Sequence, residues 1–284
     1  MIITLAFMPY NVSVNFETEV SMSRFITTSN ARIHVIDEGH GDIVFVFLHY
    51  WGGSARTWHH VVNGLRDKAR CIRIDLRGWG RSVAQDERYD LDTMAEDVSE
   101  VISALGLKRV VLVGHSMGGK IAQILASKQG LDPEALILVA PSPPTGMPVP
   151  RDIREQMLTS YQSPEGVAQA LRILANKSLS SEDRAIVFED TLAGADGAKR
   201  EWTESGMVDA LKADVSTIIA PVQILVGDED KVERVEALRS IYSSILPEAH
   251  IEVLADTGHL SPLENPRAII VACERELARL ATAA

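Results

Sequence analysis

The sequence predicts a doubly wound, mostly parallel α/β sheet of eight strands with a helical cap inserted late in the chain. Three observations carry that prediction. Near-continuous apolar runs such as VVLV at 110–113 and ALILV at 135–139 suit strands covered on both faces of a parallel sheet. Between the later runs, apolar residues recur at helical rather than alternating spacing, as βα units require. Finally, the segment 141–215 begins with Pro141, Pro143, Pro144, Pro148 and Pro150 and then carries only helix-like patterns. At roughly 75 residues it exceeds an ordinary βαβ crossover several-fold.

Strand signals fall at 24–28, 31–37, 43–48, 71–76, 110–113, 135–139, 222–226 and 251–254. The earliest read as an antiparallel opening pair, and helical patterns follow at 54–65, 91–105, 117–128, 232–245 and 268–280. Within the insertion, helices are expected around 151–161, 164–175 and 181–192. Placed between two sheet strands, such a piece lies over the carboxyl ends of the strands, where ligands bind in open α/β sheets. The expected organisation is an N-terminal extension over 1–22, a core over 23–140 and 216–284, and a cap over 141–215. For the start of the chain two readings stand: Met22 as the natural first residue behind a poorly packed extension, or a true N-terminal arm or strand.

A chain of 284 residues can form one α/β domain with an insertion and bury roughly 75% of its unfolded surface. Its 28 Lys plus Arg against 39 Asp plus Glu give a formal charge of -11. That balance disfavours nucleic acid and anionic membranes as partners. Cys71 and Cys273 have neither metal-ligand spacing nor the density of a disulfide framework, so both read as thiols of a reducing compartment. No Lys or Arg precedes Arg24, so a secretory n-region is missing, and no stretch is long enough to span a bilayer. A cytoplasmic location is expected, with oligomeric state left open.

The chemistry centres on Gly114-His115-Ser116-Met117-Gly118-Gly119, between an apolar run and a helical stretch. A serine on such a strand-to-helix turn points its hydroxyl out of the top of the sheet, and the flanking glycines allow the turn. The helix that starts there aims free N–H groups and its positive dipole end at the same spot. A serine hydroxyl needs a base to take its proton, and the base needs an acid to orient it. Asp230, in ILVGDED, and His259, in DTGHLSPLENP, each follow a strand and supply both groups in the order Ser, acid, His.

Five motifs in order make the resemblance specific: HYWGGS at 49–54, DLRGWGRS at 75–82, GHSMGG at 114–119, Gly227-x-x-Asp230, and Gly258-His259 followed by PLENP. The chain resembles the α/β-hydrolase superfamily over about residues 24–281. The resemblance implies Ser116 as nucleophile, His259 as general base and Asp230 as its orienting acid. His115 adjoins the serine, but the family pattern gives that position a packing role. Asp228 rivals Asp230, and the G-x-x-D spacing favours Asp230; Asp256 reads as a strand-end or turn residue. By resemblance, the oxyanion donors are the backbone N–H groups of Met117 and Trp51. The sequence departs from the family at Tyr50, where the common form has glycine, so the loop must accept a side chain whose ring is expected to fill part of the pocket. His49 is expected to bond loop backbone, Asp75 and Arg77 to brace the DLRGWGRS loop, and Trp79 to border the entrance. Met157 and Tyr161 receive no assigned role.

A serine at the elbow sets the chain apart from the haloalkane dehalogenase and epoxide hydrolase branches, which place an aspartate there. The resemblance thus implies a cofactor-free, metal-free hydrolase acting through an acyl-enzyme on a small-molecule ester, thioester or lactone. Enol-lactonase or perhydrolase activity, a cofactor-independent lyase or oxygenase, and a ligand receptor with an intact triad stay open as alternatives.

Overall fold

The computed structural model of the protein describes residues 21–128 and 131–282. The N-terminal extension therefore lies outside the described residues as far as residue 20. The sheet opens with β1 (Met22–Thr27), β2 (Ala31–Glu38), β3 (Ile43–Leu48), β4 (Arg70–Ile74) and the two-residue β5 (Val83–Ala84). It continues with β6 (Arg109–His115), β7 (Ala135–Val139), β8 (Val222–Gly227) and β9 (His250–Leu254). The spatial order is β1-β2-β4-β3-β6-β7-β8-β9, with β5 pairing β2 off that path. From β4 to β9 all pairings are parallel, whereas β2 runs antiparallel to β1, β4 and β5.

The apolar runs are continuous because both faces are covered. Val44, Val46 and Leu48 of β3 join one core cluster, while Ile43, Phe45 and Phe47 join the other. On the first face pack α2 (Leu91–Ala104), α3 (Met117–Ser127) and α8 (Val235–Ile245). On the second pack α1 (His59–Asn63) and α10 (Pro266–Thr282). Between β7 and β8 the chain forms α4 (Arg151–Ser160), α5 (Pro164–Leu174), α6 (Ser181–Ala193) and α7 (Asp196–Glu201), then a π turn over Trp202–Gly206. Val167, Leu171 and Val187 of these helices close a third apolar cluster with Tyr50, Leu260 and Leu263. That cluster seats the insertion on the loops at the top of the sheet. Among the described residues, no helix is long and apolar enough to cross a membrane.

Several boundaries differ from the sequence expectation, each for a local reason. β1 begins at Met22 because its backbone still pairs with Asp37. β4 stops at Ile74 because the Asp75 carboxylate takes the N–H groups of Ala55 and Arg81 and turns the chain out of the sheet. The helix expected over 54–65 is a 3-10 turn, Ala55–Trp58, capped by the Ser54 hydroxyl, followed by the short α1. Helix α8 starts at Val235 because the N–H groups of Val232 and Glu233 bind the Asp230 carboxylate instead. The closing helix gains its start at Pro266, a residue suited to a first turn, behind the one-turn α9 (Ser261–Glu264).

Candidate active site

Ser116 joins β6 to α3 with φ 51° and ψ −111°, a conformation that costs a residue with a Cβ about 1–3 kcal/mol. The surroundings impose it. Its N–H donates to the Val139 carbonyl at 3.0 Å, and its own carbonyl accepts from the N–H of Ser142 at 3.2 Å. Side chains are excluded on either side: a Cβ at Gly114 would run into the Gly118 carbonyl, and one at Gly118 into the Leu48 carbonyl. The G-x-S-x-G spacing is thus a packing requirement as well as a turn requirement.

Asp230 and His259 meet across the tops of β8 and β9. His259 Nδ1 lies 2.8 Å from Asp230 Oδ2, with side chains 2% and 0% exposed. The other carboxylate oxygen accepts the N–H groups of Val232 at 2.7 Å and Glu233 at 2.9 Å, which fixes its plane. An ionised carboxylate can only accept, so the neutral imidazole carries its proton on Nδ1 and a lone pair on Nε2. His115 stands behind this pair, its Nε2–H donating to the His259 carbonyl at 2.8 Å. Burial, followed by the nearby His259, holds its pKa well below the ordinary value. Asp228 instead accepts the Thr257 N–H, and the exposed Asp256 binds Asn176 and Lys177 of the insertion.

The two expected oxyanion donors lie at the start of α3 and on the adjoining loop after β3. Met117 is the first residue of α3, so its N–H belongs to the unpaired first turn. Among the described residues, neither this N–H nor that of Trp51 has a protein acceptor. The loop accommodates Tyr50 by putting its positive φ at Gly52, 99°, rather than at the tyrosine. The Tyr50 ring lies 5.1 Å from the His115 ring and joins the apolar cluster under the insertion, so it packs as core. Trp51 stacks on Tyr161 of the insertion at 3.8 Å and 14°, and the tyrosine hydroxyl donates to the Trp51 carbonyl at 3.3 Å.

Bracing residues fall largely where the motifs suggested. His49 Nδ1–H donates to the Tyr50 carbonyl at 2.7 Å while Nε2 accepts the Leu76 N–H at 3.0 Å, and burial lowers its pKa to about 4. Asp75 gathers His34, Ala55 and Arg81, and Arg77 pairs with Asp97 and Asp86. Trp79 is buried against His49 and Gly194, so it is a packed wall of the loop rather than a surface rim.

Sequence reasoning missed three supporting groups. The Glu264 carboxylate accepts the N–H groups of Asn176 at 2.7 Å, Lys177 at 2.8 Å and Gly258 at 3.1 Å, locking the His259 loop to the insertion. Its place in PLENP was visible, but its partners were not. Glu233 is buried beside Asp230 with Oε1 lacking a hydrogen bond; burial, then the Asp230 charge, pushes its pKa well up. Lys120 donates to the carbonyls of Gly206 and Asp209, and burial lowers its pKa to about 8.

The doubly wound sheet, with a serine at the β6–α3 turn and a buried Asp230–His259 pair joined to that turn through His115, points to the class. The chain belongs to the alpha/beta hydrolase family, whose model matches residues 45–272, and it is an enzyme of the hydrolase type. It is 30% identical over 253 residues to the AB hydrolase superfamily protein YisY of Bacillus subtilis, an alignment covering 84% of this chain and 92% of that one. It is 27% identical over 239 residues to the bifunctional esterase/perhydrolase DCH of Acinetobacter calcoaceticus, covering 73% and 82%. In structure it is similar to the esterase EaEST of Exiguobacterium antarcticum, with TM-score 0.82, 24% identity and coverage of 90% and 100%, a likeness of fold.

Proposed function

We propose that the protein is a serine hydrolase that cleaves a small carboxylic ester, thioester or lactone through an acyl-enzyme, without a cofactor. The observation that carries the reading is the buried Asp230–His259 contact at 2.8 Å, tied to the strained Ser116 turn through its neighbour His115, which donates to the His259 carbonyl at 2.8 Å. In this mechanism the Ser116 Oγ proton passes to His259 Nε2 as Oγ bonds the substrate carbonyl carbon, and the N–H groups of Met117 and Trp51 receive the resulting oxyanion. Collapse expels the alcohol or thiol with the proton from His259. Water, activated by the same ring, then releases the acid and frees the serine. Asp230 keeps the imidazole in the required tautomer and offsets its charge. The buried, unpaired thiols Cys71 and Cys273 support a reducing, cytoplasmic setting within the same proposal.

The likeness to an esterase/perhydrolase favours one second reading, in which hydrogen peroxide replaces water at the acyl-enzyme and a peracid forms. The deciding experiment is steady-state hydrolysis of short-chain p-nitrophenyl esters and simple lactones, with and without peroxide, by wild type and Ser116→Ala of verified fold. Many turnovers are expected, with kcat falling by about 10⁴-fold or more in the variant. A single stoichiometric burst, or undiminished turnover in Ser116→Ala, would overturn the proposal.

A further inference from the structure

Away from Ser116, three side chains converge where helix α1 meets helix α6 of the insertion. His60 Nε2 lies 3.0 and 3.2 Å from the two carboxylate oxygens of Asp183, and His59 Nε2 lies 3.3 Å from Oδ1. One donor atom from each of the three residues falls within 4.8 Å of the others. The sequence hides this cluster, since the adjacent histidines sit 123 residues from the aspartate.

The hydrogen bonds decide what His59 presents to it. His59 Nδ1 lies 2.8 Å from the Arg56 carbonyl, which can only accept, so the proton of the neutral ring sits on Nδ1 and Nε2 carries a lone pair. That Nε2 is buried and has no hydrogen-bond partner. It faces a carboxylate oxygen, and two lone pairs at this distance repel unless a cation stands between them. The carboxylate is itself fixed, because the Ser180 hydroxyl donates to its other oxygen at 2.7 Å. One ring nitrogen anchored on a backbone carbonyl while the other is aimed at a shared point is how metal-binding histidines are oriented.

The two histidine–carboxylate distances agree with a small ion. Tetrahedral zinc bonded to nitrogen and oxygen at about 2.0–2.1 Å requires its ligand atoms to be roughly 3.3 Å apart. The pairs His60–Asp183 and His59–Asp183 stand at 3.0 and 3.3 Å. The His60 side chain is 39% exposed, which leaves a solvent-facing side for a fourth ligand such as water.

We propose that His59, His60 and Asp183 form a binding site for one divalent transition-metal ion, with zinc the best match to two imidazoles and a carboxylate. Magnesium and calcium prefer all-oxygen shells and are not expected to bind. The ion ties α6 to α1 beside the Arg56–Asp190 and Ser54–Asp190 contacts, so it braces the insertion against the core. A metal-free imidazolium–carboxylate cluster is the competing account.

The test uses the full chain stripped with chelator and titrated with zinc chloride or magnesium chloride, read by calorimetry and by thermal unfolding. Wild type is expected to bind one zinc per chain, and its Tm to climb with zinc as RT ln(1 + [Zn]/Kd) requires, without a magnesium response. His60→Gln, at a half-exposed position, is expected to weaken zinc binding by at least about tenfold. Asp183→Asn, checked by circular dichroism, serves as a second ligand variant should His60→Gln fail to fold. Absence of stoichiometric zinc binding by wild type would overturn the site, as would equal binding by folded ligand variants. The readout is independent of turnover, so failure of the hydrolase reading would leave it standing.

Discussion

Ser116 shows how much of this molecule is decided by single residues. Its φ of 51° is imposed by the Gly114 and Gly118 close approaches, and a side chain there pays about 1–3 kcal/mol for the position. Glycine has no such penalty, although it loses more chain entropy on folding by roughly 0.5–1 kcal/mol. Ser116→Gly is therefore expected to be more stable than Ser116→Ala by about 1 kcal/mol in urea unfolding, with both inactive. Equal midpoints would mean that the strain does not exceed the roughly 0.5–1 kcal/mol entropy cost of glycine. The placement of Ser116 at the β6–α3 turn and the pairing of Asp230 with His259 were legible in the sequence, apart from the roles proposed for them, because each lies after a strand within a short motif whose spacing is set by local turn geometry. Glu233, Glu264 and Lys120 were not legible. Their chemistry comes from burial against segments far along the chain, and no local pattern encodes that.

Helix α6 is the element that joins the insertion to the site. The Ser54 hydroxyl donates to Asp190 at 2.6 Å, Arg56 pairs with the same carboxylate, and the Thr191 hydroxyl donates to the Gly52 carbonyl at 3.0 Å. All three contacts grip the 49–56 loop that carries Trp51. Asp190→Ala leaves the buried Ser54 hydroxyl and the Arg56 guanidinium short of their acceptor, so a stability loss of about 1–3 kcal/mol is expected. A fall in kcat should accompany it if the Trp51 N–H serves the oxyanion. Calorimetry and esterase kinetics check both, and a variant as active as wild type would separate the α6 grip from catalysis. The longer strands and helices were readable from apolar periodicity. The pair Val83–Ala84 was too short to carry a period and exists only because Ala31 and Arg32 present their backbone to it. Asp196–Glu201 and the π turn after it were missed because DGAKREWTESG has no regular apolar stripe; Ala198 and Trp202 are buried there by contact with the core.

At the scale of the whole molecule, buried ionisable groups set opposing pH dependences. His49, lowered from 6.5 to about 4, stays neutral in the fold while the unfolded chain takes up a proton. Its contribution is lost as pH falls from 6.5 through 4, by up to about 3 kcal/mol, and His115 acts in the same direction. Lys120, lowered to about 8, makes stability rise with pH between about 8 and 10.5. Glu233 has the other sign at low pH: its folded pKa is raised, so its ionised form is a liability above that value, and the liability disappears as pH falls toward 4.5. Total stability near pH 5 mixes these effects, but a difference between variants isolates one. Glu233→Gln keeps the shape and the backbone N–H that binds Asp230 while removing the charge. It is expected to be more stable than wild type at pH 8, with the advantage shrinking as pH falls toward 4.5, where the carboxyl of the unfolded chain takes up its proton as well. Urea unfolding of both proteins at pH 8 and pH 5 measures this, and an advantage that is constant or larger at pH 5 would show that the fold does not raise the Glu233 pKa.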